Sequence, residues 1–510
     1  MQEDLNVDAA IAKIDSVYNF DFSRRTNLYF PTEESPVVMV YGQQLLEDST
    51  YEFAGAYYSP INNRIQDGYE PLTTVGDTMY VLHYFGQIPT LGLYLSGLVA
   101  LFFLFASVTG ILIHWKNLLT KFYAFIKEGK WKQIWTNAHT VLGVIGLPFQ
   151  IVYAVTGAFF GLLSLLLIPT VFLQYDGNVD EVYSKISPFE SAEFQEDAPF
   201  SDNLSLLELR QLVVDRYPEH DIHYAQMYNY QREDGKILFG IDDHKGLSSS
   251  GEIVLSMKDG EVLEEYSQFP NEKNYSNSVL DYMSKLHFAS FGGYYIKIIY
   301  FILALITCFM IISGVLIWRT ARDNKKYSYK QRLFHHRVTK FYLAICLALF
   351  PAFAILFLAN KLVPMEMEAR IDTVNAIFFL SWLALTVIGL FWNKYSQQNR
   401  NYLIIGGLLS LLVPVFNGVV TGGWIWNMWN SYHWVAYIDM FWLFTGLTAL
   451  YLAFFVLKVK PTSDKPEEIA EKEEEVVVKK PLPKKLPKKL IRKPVLNIKA
   501  SEKGLNLGET

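Results

Sequence analysis

The sequence predicts a membrane α-helical bundle that carries two α+β modules outside the membrane. Two observations lead to this fold class. The chain has 510 residues, of which 51% are hydrophobic and 15% aromatic, and the apolar residues are concentrated in long blocks. A motif at the entrance of an apolar block also occurs twice, and a polar segment with helix and strand patterns precedes each copy.

Seven apolar runs are long enough to cross a bilayer. A helical run of about eighteen or more residues with few charges matches the thickness of the hydrocarbon core. About seven transmembrane helices are therefore expected. The runs cover residues 87–113, 140–169, 291–317, 339–360, 373–393, 402–420 and 434–457.

The distribution of Lys and Arg predicts the orientation of these spans. Basic residues collect between the first and second spans and again after the third, and the positive-inside rule places such loops in the cytoplasm. The long segment between the second and third spans is then external. The basic residues concerned are Lys116, Lys121, Lys127, Lys130, Lys132, Arg319, Arg322, Lys325, Lys326, Lys330, Arg332 and Arg337.

These assignments divide the chain into six segments. Residues 459–510 form a charged tail, acidic at first and then basic and punctuated by proline, which is expected to be disordered in the cytoplasm. The other five are an external module at 1–82, two spans with a basic loop at 83–172, an external module at 173–286, two spans with a basic loop at 287–360, and three further spans at 361–458.

Each external module combines a helical stretch with strand-like segments. In the first, "DAAIAKIDSVY" precedes "TNLYFP", "PVVMVYG" and "YEFAGAYY". In the second, "LSLLELRQLVVDRYP" precedes "IHYAQMYNY", "GKILFGIDD", "GEIVLSM" and "GEVLEEY". The first module begins without a signal peptide or span. We therefore expect that an N-terminal helix is missing from this sequence, the alternative being export of the amino terminus by the first span.

A repeat with a spacing of 204 residues relates the two halves. "MYVLHYFGQ" with His83 and "MSKLHFASF" with His287 each lead into a span, and the two spans end in "TGILIHW" and "SGVLIWR". A basic loop and another histidine follow in each copy, His139 in "NAHTVLG" and His335 and His336 in "FHHRVTK". The repeated unit is therefore module, histidine, span, basic loop, histidine and span.

These motifs resemble the PepSY-associated transmembrane helix family. The resemblance covers roughly residues 1–360 and is carried by "LHYFG" and "LHFAS", by "VTGILIHW" and "ISGVLIW", and by "AHTVLGVIGLPFQIVYAVTG". The strand pair "GEIVLSMKDGEVLEEY" is similar to the end of a PepSY module. Members of the family usually begin with a helix that carries a histidine near the cytoplasmic face, which this sequence does not show. The resemblance implies a multi-pass protein of the bacterial inner membrane that reduces siderophore-bound iron in the periplasm.

Four histidines are candidate ligands of one or two haem b groups. One or two neutral imidazoles on facing helices hold a haem b iron. His83 and His287 occupy equivalent positions in the repeat, so a pseudo-twofold arrangement would bring both to one iron at the external face. His139 is the candidate at the cytoplasmic face, where the family pattern implies a partner on the missing helix. Within this chain, His336 aligns with His139 in the repeat.

Other interpretations stay open for the remaining histidines. His114 ends the first span, but Trp318 replaces it in the second copy. His433 lies in an aromatic segment and is expected to anchor the membrane interface. The basic residues around His336 are typical of a contact with anionic lipid. Three histidines of the second module show no metal-ligand spacing: His220, His223 and His244.

Several chemistries lack support in the sequence. A net charge of −6 argues against a nucleic-acid partner. Cys308 and Cys346 lie in apolar spans, and the chain contains no CxxCH, HExxH, GxSxG or P-loop pattern. No GxGxxG follows a strand, so an electron donor would be another protein or a quinol. Asn417 and Asp439 are the polar residues that could mark a path through the last spans.

Three classes of function remain. The first is a transmembrane electron carrier, in particular a ferric-siderophore or ferric-iron reductase. The second is a non-redox membrane protein whose external modules bind or inhibit a partner such as a peptidase, and the third is a permease. The paired histidines favour the first class over the second, and the scarcity of charge in the spans favours it over the third.

Overall fold

The computed structural model describes residues 6–31, 37–46, 50–59, 64–67, 74–117, 120, 131–178, 198–242, 251–267, 275–364, 367, 369–429, 433–457 and 465–466. Within these ranges the chain forms an antiparallel sheet with two covering helices, and seven helices long and apolar enough to span a membrane. The predicted fold class is thereby confirmed. Most of the charged tail lies outside the described residues.

The helices follow the order that the apolar runs predict. They are α1 (Val7–Tyr18), α2 (Thr74–His83), α3 (Leu91–His114), α4 (Trp131–Gln174), α5 (Leu206–Arg216), α6 (Tyr275–Phe288), α7 (Gly293–Arg322), α8 (Tyr329–Leu362), α9 (Arg370–Phe391), α10 (Tyr395–Thr421), α11 (Ile425–Met428) and α12 (His433–Tyr451).

The two α+β modules share one eight-stranded sheet, which the sequence did not reveal. Its order is β4-β3-β2-β1-β5-β6-β7-β8, so the modules meet at their first strands, where Leu28 lies opposite Ala225. The strands are β1 (Thr26–Tyr29), β2 (Val38–Leu45), β3 (Tyr51–Ser59), β4 (Arg64–Asp67), β5 (Asp221–Tyr228), β6 (Lys236–Asp242), β7 (Gly251–Ser256) and β8 (Val262–Ser267).

One face of the sheet is covered by α1 and α5. Asn6 caps α1 by accepting a hydrogen bond from the backbone N–H of Ala9, and Ser205 begins α5 with a capping box. The apolar sides of both helices pack on the inward side chains of the strands. This core includes the fully buried Ile11, Ile14, Leu28, Leu206, Leu209, Ile237 and Phe239.

The opposite face of the sheet carries a row of tyrosines. The Tyr29 ring lies 4.9 Å from that of Tyr224 and 6.0 Å from that of Tyr41. The Tyr41 hydroxyl donates a hydrogen bond to the Tyr57 hydroxyl at 3.0 Å. Burial raises the pKa of Tyr224 to about 12, which keeps its phenol protonated at neutral pH. These contacts account for the tyrosines as sheet packing.

The seven candidate spans are α3, α4, α7, α8, α9, α10 and a helix from Val435 to Val456. They fall on the seven predicted runs. The second is longer than predicted, because α4 continues for 44 residues and contains both Pro148 and Pro169.

Glycines let two pairs of spans cross at backbone distance. A Cβ atom on Gly161 of α4 would lie 2.5 Å from the Cα of Gly97 in α3. A Cβ on Gly446 of α12 would lie 2.9 Å from the carbonyl oxygen of Gly407 in α10. Small residues at such crossings are the usual device for close helix packing in a membrane.

Candidate functional sites

The repeat extends to the backbone that holds His83 and His287. Two residues after each histidine the chain turns left-handed, at Phe85 (φ 60°) and at Ala289 (φ 54°). The next N–H then reaches back five residues, from Gly86 to the carbonyl of Val81 at 2.8 Å and from Ser290 to that of Lys285 at 3.2 Å. These are Schellman-type helix ends. Each places a histidine in the last turn of a short helix, just before a span begins.

This geometry brings His83 and His287 together. Their ring centres are 6.3 Å apart, with 37° between the ring planes. His83 is exposed, whereas His287 is partly buried against Tyr153 and Phe160 of α4, each with its ring centre 5.3 Å away. The equivalent histidines of the two repeat copies therefore lie next to each other.

Hydrogen bonds fix the same tautomer on both histidines. Nδ1 of His83 lies 2.7 Å from the carbonyl oxygen of Tyr80, which can only accept, so Nδ1 carries the proton. Nδ1 of His287 lies 2.9 Å from the Thr156 hydroxyl, which already donates to the carbonyl of Val152. His287 Nδ1 is therefore the donor there as well. Both Nε2 atoms keep a free lone pair, as in metal-bound histidines whose other nitrogen is oriented by a second hydrogen bond.

The spacing of this pair suits two ligands on opposite sides of one metal ion. Since a metal–imidazole bond is about 2 Å long, opposed Nε2 atoms lie about 4 Å apart and the ring centres about 6 Å apart. Burial, and next to it the neighbouring His83, lower the pKa of His287, which favours the neutral imidazole that binds metal. Among the described residues, no three His, Cys, Asp or Glu side chains are grouped to hold a metal ion. The ring spacing therefore fits two imidazoles that share one metal ion.

His139 repeats this arrangement near the other end of the bundle. Its Nδ1 lies 2.9 Å from the hydroxyl of Ser313 in α7, and that hydroxyl donates to the carbonyl of Met310 at 3.1 Å. Ser313 is completely buried. Nδ1 of His139 is therefore the donor, and its Nε2 lone pair is left for a ligand.

A cavity of about 640 Å³ lies beside His139, between α3, α4, α7 and the start of α8. His114 and His139 both line it, on facing helices. A Cβ atom on Gly110 would meet nothing within 4 Å, and one on Gly314 would come 3.5 Å from Cε1 of His139. Glycine at these two places leaves flat backbone walls against which a planar macrocycle fits.

His336 lies elsewhere. It is 6% exposed, and its Nδ1 is 2.6 Å from the Tyr395 hydroxyl of α10. The distance to the proline inside each span explains the difference from His139. His139 precedes Pro148 by nine residues, and the residue nine positions before Pro351 is Tyr342, not His336. Tyr342 lines the cavity. The basic loop of the second copy thus sets His336 further from the bundle interior than the repeat alignment indicated.

Two other described histidines, His335 and His223, lie apart from these sites. His335 packs its ring on Trp318 at 4.9 Å, and His223 lies in β5. The side chain of His433 and all of His244 lie outside the described residues.

Aromatic side chains connect the two sites along α4. The His287 ring lies 5.3 Å from that of Tyr153, and the Tyr153 ring 4.4 Å from that of Phe149. The next residue, Gln150, lines the cavity. Tyr153 also donates its hydroxyl proton to the backbone carbonyl of His287 at 3.1 Å. Contacting rings therefore lead from His287 to Phe149, which is adjacent in sequence to the cavity residue Gln150.

Sequence reasoning missed the residues that orient the histidines. Thr156 and Ser313 act across helices, so nothing close in sequence points to them. Tyr342 could have been found from the equal spacing of His139 and Tyr342 to their prolines, which is visible in the sequence.

Comparison with known proteins supports the resemblance. The family model described as the PepSY-associated TM region matches residues 9–321. The matched range contains both modules, His83, His139 and His287, and it ends before His336 and the last four spans. A comparison with curated proteins finds no match.

Proposed function

This chain belongs to the PepSY-associated transmembrane family, and we propose that it is a haem b protein that passes electrons across the bacterial inner membrane. The acceptor lies on the side of the sheet, which is the periplasm in this proposal. A ferric siderophore or another ferric complex is the substrate class that the family resemblance implies.

One observation carries this proposal: His83, His287 and His139 all have Nδ1 bound as a donor and Nε2 left with its lone pair. A histidine that merely stabilises a helix end has no reason to present the same nitrogen at three separate positions. The pair His83 and His287 would hold one haem. His139 would hold a second, and His114, which lines the same cavity, is the candidate for its partner.

The protein's own residues would orient and insulate these groups. Haem iron supplies one-electron chemistry when it is bound. Tyr80, Thr156 and Ser313 hold the imidazole rings, and Tyr153 and Phe149 fill the space between the sites with contacting rings. Donor electrons come from another protein or a quinol.

The position of the sheet supports an acceptor on its side of the membrane. α2 follows β4 and α6 follows β8, and these two helices end at the histidine pair. A ligand held by the sheet would therefore face the end of the bundle at which His83 is exposed.

The experiment is a dithionite-reduced minus oxidised visible spectrum of the purified full chain, beside His83→Ala and His287→Ala. A b-type α band should weaken in both variants, because each removes one of the two histidines that would hold the same haem. His223→Ala, which changes a histidine of the sheet, is the matched control and should keep the full band.

Size-exclusion profiles and far-ultraviolet circular dichroism would show whether each variant is folded. A folded wild-type protein that shows no α band after haem supplementation would contradict the proposal. The binding of a periplasmic partner by the sheet would then be the leading function.

A further inference from the structure

Gln150 places an unpaired donor inside the membrane-spanning part of the protein. It lies in the middle of α4, is 4% exposed and lines the cavity. Its Nε2 atom has no hydrogen-bond partner among the residues that the structure describes. No water is available in the hydrocarbon core to bind such a group, so an unpaired amide there is costly. A ligand with an acceptor atom would remove this cost.

The surroundings are built to give this amide room. Nε2 packs against Gly146, one turn before Gln150, where a Cβ atom would lie 2.8 Å from it, so the amide turns toward the cavity when it binds a ligand there. Ser107 of α3 also lines the cavity, and its hydroxyl donates to the carbonyl of Phe103, which leaves its lone pairs free to accept. Because α3 and α4 are antiparallel and cross at Gly97 and Gly161, Ser107 lies at about the same depth as Gln150. The two form one polar end of the cavity, and His114 and His139 lie at its other end.

The polar end is separate from the proposed haem ligand. Gln150 follows His139 by eleven residues of α4, which is about 16 Å along the helix axis. The lining residues that the structure describes include no Asp, Glu, Lys or Arg. Ile311 and Val338 of the cavity wall keep 47% and 40% of their surface exposed, so this wall continues onto the surface that meets lipid.

These features select the chemistry of the occupant. It must be uncharged, because no charged side chain is present to pair with it. It must dissolve in lipid to reach a site within the spans, and it must offer an oxygen that accepts a hydrogen bond from Gln150. An apolar ring suits this end of the cavity, because Phe103 and Leu147, one helical turn from Ser107 and Gln150, also line it.

We propose that this end of the cavity binds the head group of a membrane quinone, with one ring oxygen accepting from the Gln150 amide. In the reduced form, a ring hydroxyl can donate to Ser107. Binding requires nothing of the haem sites, whereas a role for the bound quinol as electron donor rests on the function proposed above.

The test is a titration of the purified full chain with decylubiquinone, followed by quenching of tryptophan fluorescence. Trp318 lines the cavity, and Trp318→Phe identifies the part of the signal that arises there. Saturable quenching of that part is expected. Gln150→Met should raise the dissociation constant about tenfold, the effect of one lost hydrogen bond in a dry site, and Ser107→Ala should have a smaller effect.

Thr109→Ala is the matched control. Its hydroxyl also bonds the backbone of α3, to the carbonyl of Phe105, but Thr109 does not line the cavity. Binding by this variant should equal that of the wild type. Equal affinities of wild type and Gln150→Met, or quenching that never saturates, would overturn the quinone site.

The same titration on His83→Ala and His287→Ala separates this inference from the proposed function. Both variants should still bind quinone, because neither His83 nor His287 lines the cavity. A wild-type protein that binds quinone but shows no haem band would contradict only the haem proposal. A normal haem band without quinone binding has the opposite meaning.

Discussion

The spans of this protein fall into two groups that differ in the fraction of their residues that the protein buries. In α3, α4 and α7, which carry or contact the candidate sites, 6%, 17% and 6% of the residues in the most apolar windows are buried. In α8, α9, α10 and the last span the values are 44%, 28%, 39% and 28%. We call the first group the histidine bundle and the second the C-terminal bundle.

Interior polar groups differ in the same way. In the C-terminal bundle, Tyr402 donates to the carbonyl of Leu385 at 2.8 Å, and Asn417 donates to Asp439 at 2.8 Å. In the histidine bundle, the Gln150 amide has an N–H that could donate to a ligand. The Nε2 atoms of His83, His139 and His287 each have a lone pair that could bind a metal ion. The comparison indicates that these polar groups of the C-terminal bundle are paired within the protein, although Trp442 Nε1 there has no partner among the described residues. The named atoms of the histidine bundle remain available for a ligand.

The largest effect is expected from Asn417→Leu in the C-terminal bundle. Asp439 is 3% exposed, so the loss of its partner leaves a buried carboxyl without that donor and should lower the free energy of unfolding by about 4 kcal/mol. Unfolding by sodium dodecyl sulfate in mixed micelles would measure it.

Two further variants make this result specific. Asn417→Leu combined with Asp439→Leu should recover part of the loss, because both members of the pair are then apolar. Ser107→Ala in the histidine bundle should change the free energy of unfolding by less than about 0.5 kcal/mol, since surplus hydroxyls bonded to their own helix contribute little. A loss of equal size in Ser107→Ala would contradict the difference between the bundles.

The two deeply buried glutamines give the most direct comparison. Gln398 donates to the carbonyls of Lys340 and Gly389, at 3.3 and 3.2 Å, so Gln398→Met should cost about 3 kcal/mol. Gln150→Met removes a donor that has no partner among the described residues, and it should be neutral or slightly stabilising in protein free of quinone and haem. The same unfolding measurement applies, and a large loss for Gln150→Met would mean that its amide is satisfied within the protein.

Much of the fold could be predicted because membranes impose strong rules on sequence. Seven apolar runs correspond to seven spans, since the bilayer fixes both the length and the polarity of a crossing helix. The sharing of one sheet by the two modules could not be predicted. It depends on pairing between Leu28 and Ala225, almost 200 residues apart, and no local pattern encodes which strand edges meet.

The candidate site was partly visible for a similar reason. His83 and His287 stand out because the repeat gives them equal surroundings, and the structure places their rings 6.3 Å apart. The repeat alignment paired His336 with His139. In the second copy, however, more residues separate the histidine from the proline of the following span, so Tyr342 and not His336 is equivalent to His139. Gln150 had no signal at all, because a polar residue in an apolar run cannot be distinguished from a packed one without its neighbours.

The smallest effects are expected from a pair of glycine substitutions. They test whether the space next to each glycine is occupied by another side chain or is empty. A Cβ atom on Gly406 of α10 would come 2.4 Å from the Phe350 ring, so Gly406→Ala should cost about 2 kcal/mol of overpacking. A Cβ atom on Gly110 of α3 meets nothing within 4 Å. Gly110→Ala should therefore stabilise the haem-free protein by about 0.5–1 kcal/mol, the ordinary gain of alanine over glycine in a helix.

Loading the protein should reverse that gain. The added methyl group of Gly110→Ala enters the cavity that His139 also lines, so it should reduce the haem content of protein expressed with haem, measured as pyridine haemochrome per chain. Stabilisation without haem combined with poorer loading would show that the space beside Gly110 is reserved for a bound group. If Gly110→Ala stabilised the protein and left haem content unchanged, this part of the cavity would be spare volume, and the histidine bundle would differ from the C-terminal bundle only in packing quality.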